Sequence, residues 1–270
     1  MSFSYTIYGD EGDQFATAST QRQPLGTRMV MRDGRVYRYS RNSSTAISAG
    51  LLLVQAAEVA NSTGYHILPV DEAAGSTSIL LDATGSTGAF SANELKEGII
   101  FFSATGATGQ SEPHMIYQHA AWTTVTGTQI TFHLYPGDSI QNAWDTSTGV
   151  VGIHKNKYRD AVPSSIALGS AGHPVGVSNI PVAASYYYWA QTWGLCPVEI
   201  SNAYATIKGS LVSASTDAST TGTICRANPT TDVADTTVSG SSFSINPAIG
   251  TVAKLAADGF PALVDLTIAP

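Results

Sequence analysis

Charge is scarce in this chain. Only 12% of its 270 residues are Asp, Glu, Lys or Arg, about half the share of an ordinary globular domain. Low charge combined with 43% hydrophobic residues excludes a solvated, disordered segment. Ser, Thr, Ala and Gly fill the gap. Such a surface suits strands packed against other protein, whereas a free cytosolic enzyme carries more charge for solubility. The length allows one large β domain or two smaller ones. Cysteine is scarce too. Cys196 and Cys225 fit no C-x-x-C spacing and read as a free, buried pair, with a disulfide open only in an oxidising medium.

Long hydrophobic runs are missing. The longest, Leu51–Val54, is too short to cross a bilayer, and the residues from Met1 to Tyr8 hold neither the basic nor the apolar region of a secretory signal. The expectation is a soluble chain made in a cytoplasm, with no membrane partner. Glycine-rich phosphate or dinucleotide signatures do not occur, so no cofactor is expected. The six histidines form no metal-binding pair, and His114 and His119, five apart, fall on opposite faces of a strand. Gly137-Asp138-Ser139-Ile140 resembles the block that opens one class of serine hydrolases. It sits mid-chain, however, and no histidine follows His173 to complete a triad. The acids Asp10, Glu11 and Asp13 read as a solvated cluster. The expectation is therefore no catalytic residue, no metal and no enzyme.

What charge there is has been concentrated. Six of the 13 basic residues are the arginines Arg22, Arg28, Arg32, Arg35, Arg38 and Arg41. Against the four acids that precede residue 42 they leave +2, and the seven bases and sixteen acids of the rest leave −9, for a total of −7. A local patch on an acidic chain implies a specific anionic partner surface. Nucleic acid is not expected, because it calls for a basic field over the whole domain.

Asp33-Gly34 reads as a two-residue hairpin loop. It would pair Arg32 with Arg35, Val30 with Tyr37 and Arg28 with Tyr39. Arg28, Val30, Arg32, Arg35, Tyr37 and Tyr39 would then share one face, with Met29, Met31, Val36 and Arg38 on the other. Two facing arginines call for a carboxylate, in this chain or on a partner. Arg28, Arg32, Arg35, Arg38 and Arg41, with Tyr37 and Tyr39, are thus the candidate partner-binding residues. The competing reading is charge that guards an exposed edge.

Elsewhere the pattern is mostly β. Gln129–Tyr135 alternates, with Ile130, Phe132 and Leu134 on one face, and Val264, Leu266 and Ile268 alternate near the end. Ile99–Phe102 is a continuous apolar run, expected to be buried on both faces. Turn signals recur at Gly85–Gly88, Gly106–Gly109, Thr221-Gly222 and Asp258-Gly259. The expected fold is all-β, or β-rich with one or two short helices such as Asn93–Glu97, in a sandwich- or barrel-like arrangement. Residues 1–60 form an N-terminal arm and hairpin, and residues 61–270 a β-rich body with a modest break near 136–163.

Tyr186–Trp193 packs five aromatics into eight residues. On a strand Tyr187, Trp189 and Trp193 share a face with Gln191, while Tyr186 and Tyr188 take the other. Aromatics on both faces imply a strand covered on both sides. A core strand, a subunit interface and a sugar platform all remain open for it.

Three blocks carry a resemblance: Leu25–Arg28 with Asp33–Tyr39 and Ala49–Leu52, then Tyr186–Gly194, then Ile249–Val252 with Asp258–Ile268. Together they resemble virion structural proteins of tailed bacteriophages, the last in the style of capsid decoration (cement) proteins. The resemblance covers about a third of the chain, which is longer than small decoration proteins. It implies a β-rich, often trimeric protein on the outer capsid surface that clamps major capsid protein subunits, with no catalytic residues. The alternative is a carbohydrate-binding or adhesin module of a phage tail or fibre.

Overall fold

The computed structural model describes residues 5–57, 65–82, 89–104, 112–122, 129–146, 149–164, 172–201, 207–215, 221–227, 248–255 and 260–270. The turn signals at 85–88, 106–109 and 258–259 lie outside them. The all-β, sandwich-type expectation holds, and the described strands form open sheets with no closed barrel. The chain divides into two compact units. One joins residues 1–57 to residues 157–270, and the other holds residues 58–156. The sequence pattern instead sets residues 1–60 apart from 61–270, with a modest break near 136–163.

The first unit holds β1 (Thr6–Gly9), β2 (Arg28–Met31), β3 (Val36–Arg41) and β4 (Leu52–Val54) from its N-terminal part. The second unit holds β5 (Tyr65–His66), β6 (Ser78–Asp82), β7 (Ile99–Ala104), β8 (Pro113–His119), β9 (Gln129–Leu134) and β10 (Gly149–His154). The chain then returns to the first unit with β11 (Val162–Pro163), β12 (Pro174–Ser178), β13 (Tyr187–Val198), β14 (Leu211–Ala214), β15 (Ile224–Arg226), β16 (Gly250–Lys254) and β17 (Ala262–Thr267). Among the described residues the only helical element is one 3-10 turn, Asp13–Phe15.

The first unit is built on one sheet in the order β1-β2-β3-β13-β17-β16-β14-β15, with β4, β11 and β12 branching from it. β13 is its spine. One edge of β13 pairs with β3, and the other pairs with β12 and then β17. β4 alternates between two cores. Leu53 belongs to the core cluster that holds Tyr37, Tyr188 and Trp189, and Leu52 to the one that holds Val177, Cys196 and Val264. Of the two readings of the N-terminal segment, an arm or an edge strand, β1 is an edge strand that pairs in parallel with β2.

The second unit has the sheet order β5-β10-β7-β8-β9-β6 around a core that includes Phe102, Trp122, Phe132 and Trp144. Burying each such side chain contributes roughly 1.5–3 kcal/mol. Strand β9 buries Ile130, Phe132 and Leu134 as its alternation implies. Strand β7 departs from expectation. Ile100 and Phe102 are fully buried but Ile99 and Phe101 only partly, so it is a one-sided strand. Asn93–Glu97 makes turns instead of a helix, because Asn93 (φ 61°) and Glu97 (φ 65°) are left-handed.

Candidate functional site

The arginine hairpin folds in a different register from the one its sequence implies. Met29 faces Tyr37, Val30 faces Val36 and Arg28 faces Arg38. The loop has three residues, Arg32-Asp33-Gly34. Met31 N donates to Arg35 O (2.9 Å), Gly34 N donates to Met31 O (3.0 Å), and Gly34 takes φ 87°. A left-handed glycine closing a three-residue loop is the next commonest hairpin solution after the two-residue turn. The slip re-sorts the faces. Arg35, Tyr37, Tyr39 and Arg41 now share the side of Met29 and Met31, while Arg28, Val30, Val36 and Arg38 share the other.

Arg32 and Arg35 consequently do not oppose each other, and each finds acids within the chain. Gly9 pairs with Met31 in the parallel β1–β2 ladder, which brings the following residues, Asp10 and Arg32, side by side. Arg32 Nη2 donates to Asp10 Oδ1 at 2.9 Å, with both side chains largely exposed (89% and 78%), so the pair contributes little to stability. Arg35 is more enclosed. Its Nε meets Asp33 Oδ2 at 2.5 Å, its Nη2 meets Glu11 Oε2 at 3.1 Å, and its Nη1 donates to the Tyr37 hydroxyl at 3.0 Å. Burial disfavours the charge on Arg35, but the hydrogen bond to Asp33 and the neighbouring Tyr37 and Glu11 outweigh it and raise its pKa. Burial likewise pushes Asp33 up, and its hydrogen bonds from Arg35 more than reverse that.

The remaining arginines are tied down differently. Arg41 pairs with Asp160 and lies over the Tyr187 ring, 5.9 Å from its centroid. Arg38 donates to Gly26 O (3.2 Å) and Pro270 O (2.9 Å). Arg28 Nε is buried without a hydrogen-bond partner. The acidic counterpart that the sequence left open thus lies within the chain for Arg32, Arg35 and Arg41. The acids at 10 and 11 were visible as a cluster, but their role depended on a parallel strand pairing that local patterning does not encode.

Behind Arg35 runs a buried polar network. The Tyr37 hydroxyl donates to Gln191 Oε1 (3.2 Å), and Asn179 Nδ2 donates to the same oxygen (2.8 Å). Gln191 Nε2 donates to the carbonyls of Trp193 (3.1 Å) and Leu195 (2.9 Å), and Cys196 Sγ lies 3.1 Å from Asn179 Oδ1. Burial drives the Tyr37 pKa up to about 12 despite the opposing charge of Arg35. Burial also raises Cys196, so its thiol stays protonated. Both cysteines are free and buried, as the spacing implied.

The aromatic segment divides between core and surface. Tyr188 and Trp189 are adjacent, point to opposite faces and are both buried, so this part of β13 is covered on both sides. Tyr39 stacks on Tyr187 at 5.8 Å and meets Trp189 edge-on at 4.9 Å. Tyr186 precedes the strand and is exposed. Trp193 does not join Trp189 and Gln191. A β-bulge at Thr192 lets Trp193 pair with Val36 while Gln191 pairs with Tyr37, which turns Trp193 to the opposite face, where it is 37% exposed.

Beyond the bulge an outward row crosses four strands. Leu195 pairs with Asp265, Asp265 with Thr251, and Thr251 with Leu211. Paired residues share a face, and Leu195 and Leu211 at its two ends are about half exposed (50% and 52%). The opposite face of the same strands carries Cys196, Val212, Val252, Val264 and Leu266 in the core. Sequence reading missed Leu195 and Leu211, whose outward direction follows only from the bulge and the register.

A concavity lies on the other side of the bulge. A cleft of about 160 Å³ opens between the 3-10 turn and the aromatic rings of Tyr39, Tyr187 and Trp189.

In the second unit, His114 Nδ1 lies 3.0 Å from Asp138 Oδ2, and Ser139 N donates to Asp138 Oδ1. Ser139 Oγ accepts from Gln141 Nε2 at 3.4 Å. Glu112 accepts from Trp144 Nε1 at 2.9 Å. Burial raises its pKa, but this bond and those from the Asn142 and Gln141 backbones prevail and hold it low. His114 and His119 share the inward face, contrary to their spacing, because β8 is bulged between Ile116 and Gln118. Among the described residues no cluster of His, Cys, Asp or Glu is arranged to hold a metal. Comparison with protein-family models, curated proteins and solved structures finds no match.

Proposed function

We propose that this chain is a non-catalytic structural protein of a tailed-phage virion. It decorates the outer capsid surface, binds the major capsid protein shell and associates with its own copies as a homotrimer. The observation that carries this reading is the outward row Leu195-Asp265-Thr251-Leu211, flanked by Trp193, on an exposed sheet face. Trp193, Leu195 and Leu211 set exposed apolar side chains around the polar Asp265 and Thr251, a mixed surface of the kind that non-obligate protein contacts use. The low charge of the chain and the resemblance of its three blocks to tailed-phage virion structural proteins, the last block in the style of decoration proteins, support the same reading. The mechanism is mechanical: a protein that binds only the assembled shell stabilises that shell by mass action.

The pairing of the arginines narrows their part in this. Arg35 and Arg41 are held by acids of their own chain, whereas Arg32, at the hairpin tip, keeps an exposed guanidinium that can exchange Asp10 for a carboxylate of the shell. The test is co-sedimentation with shells assembled from the major capsid protein of the same genome. Saturable binding by the wild type, lost in Leu195→Asp/Leu211→Asp, is expected. A wild type that stays in the supernatant would refute the reading.

A further inference from the structure

The cleft beside the 3-10 turn has the chemistry of a small-ligand site. Its inner wall is apolar: Ile7, Ala18 and Met29 line it together with the half-buried Tyr187 ring and with Tyr39 and Trp189, which are almost wholly buried. Its rim is polar, with Asp13, Arg22 and Gln23 contributed by the segment that connects β1 to β2. Arg22 is the clustered arginine that reaches this rim. Among the described residues its guanidinium makes no ion pair and no hydrogen bond, while Arg32, Arg35, Arg38 and Arg41 all do. Asp13 uses one carboxylate oxygen, Oδ2, to accept from Asp10 N at 2.9 Å. Its other oxygen has no such bond.

We propose that this cleft binds one neutral pyranose ring of a glycan. The Tyr187 ring and the apolar residues beside it accept the C–H face of a sugar, and planar charged and amide groups at the rim take its vicinal hydroxyls in pairs. The volume of about 160 Å³ suits one ring and no more. A quaternary ammonium ligand calls for an enclosure of open ring faces, whereas here Tyr39 and Trp189 are almost wholly buried. A purely apolar ligand would leave the rim donors and acceptors desolvated without partners. The rim balances one acid with one base, so it selects a neutral ligand over an anion. This site is separate from the shell-binding row, because the bulge at Thr192 places Trp189 and Leu195 on opposite faces of β13.

The test is titration of the full chain with methyl pyranosides of glucose, galactose, mannose and N-acetylglucosamine, followed by the indole N–H signals in a proton–nitrogen correlation spectrum. A single pyranose in a shallow cleft should bind with Kd on the order of 1–10 mM, shifting the Trp189 signal, assigned through Trp189→Phe. Arg22→Ala and Asp13→Ala, both on exposed rim positions, should keep the dispersed spectrum of the fold and weaken binding at least about tenfold each. Leu195→Asp should bind sugar as the wild type does. Three outcomes overturn the proposal: no saturable shift with any glycoside, unchanged affinity in both rim variants, or saturation by tetramethylammonium or glucuronate alone.

Discussion

Arg32 donates to Asp10 across 2.9 Å, so the charge at the tip of the hairpin is met by an acid 22 residues earlier in the same chain. Arg35, three residues on, is met by Asp33 and Glu11. The two arginines look alike in sequence but stand in different environments, and their substitutions separate them. Arg32→Glu replaces an exposed guanidinium and should change stability by less than about 0.5 kcal/mol. Arg35→Glu sets a carboxylate among Asp33, Glu11 and the Tyr37 hydroxyl, and should destabilise by roughly 2–3 kcal/mol. Urea unfolding of the two variants measures the difference, and equal midpoints would contradict it.

Gln191 ties β13 to β3 and to its own continuation. Gln191→Leu removes the acceptor used by Tyr37 and Asn179 and the donor used by the Trp193 and Leu195 carbonyls. Stranding several buried polar groups should cost about 2–4 kcal/mol. Calorimetric melting of this variant beside Asn179→Ala would show it, and a melting point within a degree of wild type would count against the network.

Tyr188 behaves in the opposite way. Its ring is fully buried and its hydroxyl has no hydrogen-bond partner. Tyr188→Phe keeps the ring and removes an unsatisfied group, so it should leave stability unchanged or raise it by up to about 1 kcal/mol. A loss above that size in chemical denaturation would mean that the hydroxyl is satisfied after all.

Tyr37 sets an alkaline limit. Its neutral, protonated form is favoured in the fold, which raises its pKa from 10.0 to about 12. Stability from this residue is therefore complete below about pH 10 and is lost as pH rises toward 12, by up to ~2–3 kcal/mol for a two-unit shift. Spectrophotometric phenolate titration should show a late class of tyrosines, reduced by one in Tyr37→Phe. Titration of every tyrosine near pH 10 in the folded protein would contradict this.

What the sequence disclosed and what it hid follow one physical division. Strand β9 was legible because Ile130, Phe132 and Leu134 alternate without interruption, and the hairpin was placed correctly by Asp33-Gly34. Its register was not, since a left-handed Gly34 can close a loop of two residues or three. Alternation also failed at Thr192 and between Ile116 and Gln118, where bulges insert a residue and reverse the faces beyond them. Trp193, His119 and the outward Leu195 were each hidden by such a bulge. The acids that neutralise the arginines were hidden by a parallel pairing between β1 and β2, a contact that no turn signal announces. The cleft was invisible for a similar reason: its wall comes from β1, β2, β3 and β13 and its rim from the segment after β1.

The most direct measurement of the capsid role is a cryo-electron microscopy reconstruction of major capsid protein shells incubated with an excess of this chain. Ordered density on the outer surface, three copies clustered together with Leu195 and Leu211 turned toward a protein contact, is the predicted result. Shells that emerge bare, or copies bound with that sheet face open to solvent, would contradict it.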